Sequence, residues 1–94
     1  MLDITQKVTF ADTIFAQEVD GEMVLLDMES ENYFGLDAVG TDIWQQIETH
    51  EGDLQKVFDA LLQMYEVDEE RLRQDLLTFV ERLTQSGLVK VVAA

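Results

Sequence analysis

The sequence predicts an α+β fold, with a three-stranded antiparallel sheet followed by three helices and a short C-terminal strand. Short β-prone segments separated by turn residues occupy the chain up to Leu36. From Thr41 onward, apolar residues recur at helical spacing behind residues that can cap a helix. With 94 residues, no proline and no Gly/Ser-rich linker, we expect a single domain over residues 1 to 94, of which 1 to 12 are expected to be flexible.

The three predicted strands lie in the first third of the chain. Residues Ile14 to Val19 are rich in β-forming types, and Asp20-Gly21 is a two-residue turn of the kind that requires positive φ. Residues Met23 to Asp27 are the returning strand of this hairpin. A polar turn then leads into a third short strand, Tyr33 to Leu36.

The third strand is predicted to be an edge of the sheet. Because side chains alternate along a strand, we assign Phe34 and Leu36 to the core and Tyr33 to the exposed or groove side. Gly35 lacks a side chain that would crowd an approaching backbone, although a bulge or a bend explains a glycine in a strand equally well.

Two helices are predicted next. Thr41 or Asp42 can cap the first, which places Ile43 on a buried face and ends at residues 50 to 52. Asp53 can cap the second helix. The core-facing stripe of that helix consists of Leu54, Val57, Phe58, Leu61, Leu62 and Tyr65.

The third helix begins after Asp68 and ends near Gly87, a type of residue that favours the left-handed conformation after a helix. Leu77 broadens its apolar face beyond one stripe, so the helix is either buried on two sides or forms one wall of a ligand groove. The final strand is predicted at Leu88 to Val92. The apolar face of the third helix consists of Leu72, Leu76, Phe79, Val80 and Leu83.

The charge distribution argues against nucleic-acid binding. Residues 1 to 53 contain 13 acidic and one basic residue, a net charge of −12, whereas residues 54 to 94 contain seven acidic and five basic residues, a net charge of −2. Affinity for nucleic acids comes largely from Lys and Arg that neutralise phosphates, so DNA is an unfavourable partner. The acidic surface either confers solubility alone or contrasts with a more cationic third helix suited to an acidic peptide.

The sequence does not predict catalysis. Its single histidine, His50, falls in a predicted loop, and there is no cysteine to complete a zinc site. It contains no Gly-rich phosphate loop, nucleophile elbow or calcium loop. We therefore expect no enzymatic activity, cofactor or metal. The lack of an apolar run of membrane-spanning length and of a signal peptide predicts a cytoplasmic protein without membrane contact.

Two segments carry a resemblance to a known family. They are Val24 to Trp44, VLLDMESENYFGLDAVGTDIW, and Asp75 to Leu88, DLLTFVERLTQSGL. In this order and spacing they resemble the PqqD-like family of RiPP recognition elements, over roughly residues 14 to 92. The resemblance implies a winged helix-turn-helix-like fold. It also implies a peptide chaperone that binds the leader of a ribosomally made precursor and presents it to a radical SAM enzyme, peptidase or cyclase.

The resemblance also implies where the leader binds, which is between the third strand and the third helix. An exposed strand edge can accept an extended peptide as an additional strand, while pockets receive alternate side chains. Three arginines of the third helix, Arg71, Arg73 and Arg82, are expected beside the groove. The candidate peptide-binding residues are Asn32, Tyr33, Phe34, Gly35, Leu36, Arg71, Leu72, Asp75, Leu76, Phe79 and Arg82.

Two departures bear on the pathway. Members devoted to quinone cofactor synthesis tend to have Pro-Glu and Leu-Asn where this chain has Met28-Glu29 and Leu36-Asp37. The chain is more similar to stand-alone relatives from lasso-peptide and other modified-peptide pathways. Two alternatives stay open, a winged-helix DNA-binding regulator and a structural module that oligomerises through its third helix. As a peptide binder, it is expected to be a monomer or a weak dimer.

Overall fold

The computed structural model describes residues 2 to 92, so Met1, Ala93 and Ala94 of the expected domain lie outside the described residues. Its architecture is mixed α+β, as predicted. The elements in chain order are β1 (Lys7–Phe10), β2 (Ile14–Val19), β3 (Glu22–Asp27), β4 (Asn32–Gly35), α1 (Ala38–Thr49), α2 (Leu54–Met64), α3 (Glu69–Gln85) and β5 (Val89–Val92).

The strands β2, β3 and β4 form the predicted antiparallel sheet in that spatial order. At the hairpin between β2 and β3, Asp20 has φ 52° and Gly21 has φ 83°. Positive φ at both central residues matches the right-handed twist of the flanking strands, which confirms the predicted turn. The sheet therefore has two edges, β2 on one side and β4 on the other.

The strand β1 is a departure from the sequence analysis, which predicts no element before Ile14 and expects residues 1 to 12 to be flexible. Residues Lys7–Phe10 instead pair with β5 in a separate two-stranded antiparallel sheet. Val8 in this strand is buried, and Phe10 stacks on Trp44 with ring centroids 4.3 Å apart. Burial of these apolar side chains holds the segment against the helices.

The start of α1 also differs from the prediction. The helix begins at Ala38, and its N-cap is Asp37, whose carboxylate accepts a hydrogen bond from the Gly40 amide at 2.8 Å. Thr41, one of the two predicted caps, is buried inside the helix, where its hydroxyl accepts a hydrogen bond from the Met23 amide at 2.8 Å. The threonine thus joins α1 to β3 and satisfies a strand amide that would otherwise lack a partner.

The other helix boundaries agree with the sequence. Asp53 caps α2 by accepting from the Lys56 amide at 3.3 Å, and Asp68 caps α3 by accepting from the Arg71 amide at 3.1 Å. Gly87 follows α3 with φ 77°, as predicted for the residue after a helix.

The sheet has two unlike faces. The inner face packs against α1 and contributes Met23, Leu25 and Phe34 to a core cluster shared with all three helices. The outer face is the opposite side of the sheet and is not covered by any described element. It consists of Phe15, Gln17, Val19, Glu22, Val24, Leu26, Tyr33 and Gly35.

No helix within residues 2 to 92 has both the length and the apolar character required to cross a bilayer. In the same range, His, Asp and Glu side chains do not converge in groups of three or more that could hold a metal ion.

Candidate functional site

The edge of β4 offers unpaired backbone groups. Leu36 donates its amide to the Met23 carbonyl at 2.8 Å, and the register continues with Phe34 opposite Leu25. Hydrogen-bonding direction alternates along an antiparallel strand, so the amides and carbonyls of Tyr33 and Gly35 point away from β3. Within residues 2 to 92, β4 pairs only with β3, and these groups are available to a further strand.

A groove of about 420 Å³ lies beside this edge, between the end of β4, the first turns of α1 and the middle of α3. We call it the edge groove. It presents apolar surface from both helices and charged groups from Asp75 and Arg82. Its lining consists of Gly35, Leu36, Asp37, Val39, Gly40, Ile43, Asp75, Thr78, Phe79 and Arg82.

Close packing of α1 against α3 forms one wall of the edge groove. Gly40 is buried, and a Cβ atom added there would lie 3.2 Å from the Phe79 ring and 3.4 Å from the Leu36 Cβ. The missing side chain therefore lets the first turn of α1 approach both residues. Phe79 itself is half-buried, so part of its ring packs on the core while another part faces the groove.

A second, smaller depression of about 170 Å³ follows along α3 toward its N-terminus. We call it the helix pocket. Val39, Ile43 and Asp75 line both depressions, so the two are continuous along one side of α3. The helix pocket is lined by Val39, Ile43, Leu61, Tyr65, Val67, Arg71, Leu72 and Asp75. Such a trough, apolar at its base with a few charged groups, suits the side chains of an extended peptide.

The chain matches a family model described as coenzyme PQQ synthesis protein D (PqqD) over residues 22–89. It belongs to the PqqD family. The matched segment includes β3, β4, all three helices and the first residue of β5, and hence both depressions beside α3. Among curated proteins, none matches this PqqD-family chain.

Two solved structures resemble this PqqD-family protein along nearly its whole length. A structure of TbiB1 in complex with the TbiA(beta) leader peptide is 32% identical with a TM-score of 0.83, and the match covers 92% of this chain and 99% of that one. A structure of lasso peptide synthetase B1 complexed with its leader peptide is 25% identical with a TM-score of 0.79, covering 89% and 98% respectively. These similarities confirm the predicted fold.

The predicted site residues of the PqqD-family chain separate into two groups. Most lie at the β4 edge or line one of the two depressions, and Tyr33, 72% exposed, stands on the outer face as an exposed residue of the edge strand. Leu76 is different because it is fully buried in the core and lines neither depression. The residues at the edge or in the depressions are Asn32, Tyr33, Phe34, Gly35, Leu36, Arg71, Leu72, Asp75, Phe79 and Arg82.

The expectation that Arg73 lies beside the groove is wrong. Its guanidinium pairs with Glu70 at 2.9 Å and Glu69 at 3.8 Å on its own helix. It also stacks over the Phe58 ring of α2, 5.2 Å from the ring centroid. Arg73 therefore covers the α2 side of α3, while Arg71 and Arg82 line the depressions.

Sequence reasoning missed the contribution of α1 to the site. Val39, Gly40 and Ile43 line the edge groove, yet only Ile43 lay in a predicted helix, where it was assigned to the core. The available signal was Asp37, a good N-cap residue three positions before Gly40. A helix beginning after Asp37 would have placed Val39, which is exposed, in its first turn.

One side-chain hydrogen bond fixes the wall of the helix pocket. The Tyr65 hydroxyl, at the end of α2, donates to the Asp42 carboxylate on α1. This bond, followed by burial and the nearby charge of Asp42, raises the pKa of Tyr65 to about 12 from 10.0. Deprotonation would remove the donor and place two negative charges side by side.

The raised pKa makes stability dependent on alkaline pH. The stabilisation from Tyr65 is complete below its unfolded-state pKa of 10.0 and is lost as the pH rises through its folded-state pKa of about 12. We expect the free energy of unfolding of the wild type to fall more steeply across this window than that of Tyr65→Phe. Urea denaturation at a series of pH values measures the difference, and parallel curves for the two proteins would contradict it.

Proposed function

We propose that this protein binds the leader of a ribosomally synthesised precursor peptide and presents it to an enzyme that modifies the precursor. The leader adds as a strand to the free edge of β4 and places alternate side chains in the trough formed by the edge groove and the helix pocket. The observation that carries the proposal is that the trough lies directly beside the free edge of β4.

The geometry supports strand addition in two ways. Tyr33 and Gly35 offer two amides and two carbonyls, enough for the hydrogen bonds of a short antiparallel or parallel pairing. An edge strand leaves such groups in water until a ligand pairs with them, so binding costs little desolvation of buried polar groups. The two structural neighbours, which are complexes with leader peptides, support the same ligand class for this chain.

The enzyme that receives the leader-bound precursor belongs to the biosynthetic pathway that modifies this precursor. A lasso-type pathway, in which the enzyme is a peptidase or a cyclase, is favoured because both structural neighbours are complexes with leader peptides and one of them is named lasso peptide synthetase B1. We propose no catalytic role for this chain itself, because its trough carries no nucleophile paired with a base among the described lining residues.

Binding and its location are tested together by NMR titration with a panel of lasso-precursor leaders that includes the TbiA(beta) leader. We expect at least one leader to bind and to shift the amide signals of residues 32 to 36 and of α3 most strongly. A panel without any binder would contradict the proposed function. Largest shifts in β2 or α2 would instead contradict the proposed site.

Charge reversal tests the role of the trough's arginines. Arg82 lines the edge groove, and Arg82→Glu should weaken binding of an acidic leader by about tenfold or less, mainly through the association rate, because an exposed charge is screened by water and salt. Lys56→Glu, which makes the same reversal of charge on the exposed surface of α2, is the matched control. Affinities are measured at low and high salt. Equal, salt-independent affinities for wild type and Arg82→Glu would remove Arg82 from the site.

A further inference from the structure

The outer face of the sheet has an unusual concentration of exposed apolar side chains. Phe15 is 54% exposed, Val19 49% and Tyr33 72%, and Met28, 58% exposed, follows β3 at the same end as Phe15. These are four of the nine large apolar residues exposed within residues 2 to 92. Their clustering on one face marks an interaction surface, since scattered exposed apolar residues are ordinary but contiguous ones are not.

The cluster follows the cross-strand register of the sheet. Phe15 lies opposite Leu26, and Leu26 lies opposite Tyr33, so the three form a row that crosses all three strands. Direct cross-strand neighbours have Cβ atoms about 4.5–5.5 Å apart, which makes the row continuous. It ends at Tyr33, on the free edge of β4.

The rim of the outer face is acidic. Glu22 lies on the face itself, Asp20 is in the turn at one end, and Glu29 and Glu31 are in the turn at the other end, all of them exposed. The only basic residue among residues 1 to 53 is Lys7, which belongs to the separate β1–β5 sheet. Two copies packed through this face would bring like charges together, which disfavours self-association.

We propose that the outer face is the docking surface for the modifying enzyme, through an apolar patch on that enzyme bordered by Lys and Arg. This inference rests on the proposed leader binding, because a leader strand added to β4 would extend the same sheet. Alternate leader side chains would enter the trough, and the others would join the outer face beside Tyr33. The enzyme thereby contacts a surface made jointly by the domain and its bound leader, and it distinguishes the loaded domain from the empty one.

A double variant of β2 tests the surface without altering the leader site. Phe15→Thr with Val19→Thr keeps β-forming residues while removing apolar area two strands away from the β4 edge. Val91→Thr with Val92→Thr on β5, where the two residues are 40% and 44% exposed, is the matched control. The partner is the purified peptidase or cyclase of the lasso pathway whose leader binds most tightly in the NMR titration. Its affinity is measured with and without leader, and leader affinity is measured separately by fluorescence anisotropy.

We expect the β2 double variant to lower enzyme affinity by about tenfold or more, as truncation of central apolar contacts does, with leader affinity changed less than about twofold. The control should change neither. The loaded wild-type domain should bind the enzyme more tightly than the empty one, and added salt or Glu22→Gln should weaken that binding. If the β2 double variant binds the enzyme as tightly as the wild-type domain does, and still binds the leader, the proposed docking surface is wrong. The proposed function would be unaffected by that result.

Photo-crosslinking identifies the occupant directly. A benzophenone analogue of phenylalanine placed at position 15 should crosslink to the enzyme, at a segment flanked by basic residues. Crosslinks to a second copy of this chain, or none at saturating enzyme, would each contradict the proposal. The crosslink is measured with and without leader. A protein that binds no leader yet crosslinks to the enzyme would contradict the proposed function and the joint surface, but it would retain the outer face as the contact with the enzyme.

Discussion

Replacement of Gly52 by alanine should strongly destabilise this protein. Gly52 has φ 81°, and a Cβ atom added there would lie 1.7 Å from the Val8 carbonyl oxygen and 2.8 Å from its carbon. The Val8 amide in turn donates to the Gly52 carbonyl at 3.0 Å. The new methyl group would therefore force β1 away from the α1–α2 connection and expose Val8. We expect a loss of about 3 kcal/mol or more, because steric overlap adds to the cost of a left-handed alanine.

Gly87→Ala is the matched control for Gly52→Ala. Gly87 also follows a helix and has φ 77°, but no atom lies within 4 Å of a Cβ added there. The free energy of unfolding of Gly87→Ala should therefore fall only by the cost of placing alanine in the left-handed conformation, about 1–2 kcal/mol. Urea denaturation followed by circular dichroism measures both variants. Equal losses would show that backbone conformation alone governs Gly52 and that the contact with Val8 adds nothing.

Local signals in the sequence predicted the local structure well. The hairpin turn at Asp20-Gly21 and the caps Asp53 and Asp68 each depend on residues within a few positions of one another. Their physical causes, positive φ and the hydrogen bonds of a first helical turn, are properties of the residue types themselves. Neighbouring sequence is sufficient to identify such features.

The features that the sequence did not predict depend on distant partners. The strand β1 is four residues long and pairs with β5 at the other end of the chain. Three of the four residues in Lys7–Phe10 are β-forming types, but a run of this length does not predict a strand unless its partner is known. The crowding of Gly52 by Val8 has the same origin, since a glycine that ends a helix gives no indication of which backbone will lie beside it.

The candidate site was predictable in part for the same reason. The β4 edge and the α3 side of the trough were expected from the family resemblance. Helical periodicity, however, defines an apolar face without showing which part of it is covered, and so it placed the buried Leu76 beside the groove-lining Phe79. The assignment of Arg73 was wrong because its side chain packs over Phe58 of α2 and pairs with two glutamates of α3. These partners hold it on the side of α3 that faces α2 and not beside the edge groove.

The largest effect on leader binding should come from Gly35→Pro. Gly35 directs its amide to the free edge of β4, where a leader strand would accept a hydrogen bond from it. Proline removes that donor and adds ring atoms at the edge. Because the amide does not pair with β3, the sheet itself loses no hydrogen bond, and proline is tolerated at such edge positions. We expect leader affinity to fall by about tenfold or more, since an unpaired peptide group at an interface costs about 1–3 kcal/mol.

Gly35→Ala is the control that separates the effect of removing the backbone amide donor from the effect of replacing the glycine. Alanine keeps the amide, and a Cβ atom at this position meets no atom within 4 Å, so the free domain should accommodate it without strain. Leader affinity of Gly35→Ala should stay within about threefold of wild type, because about 1.4 kcal/mol would be needed for a tenfold loss. Fluorescence anisotropy with a labelled leader measures both variants, and thermal unfolding verifies that each is folded. If a folded Gly35→Pro variant binds as tightly as Gly35→Ala, the leader does not pair with β4 at this residue, and strand addition at this edge is wrong.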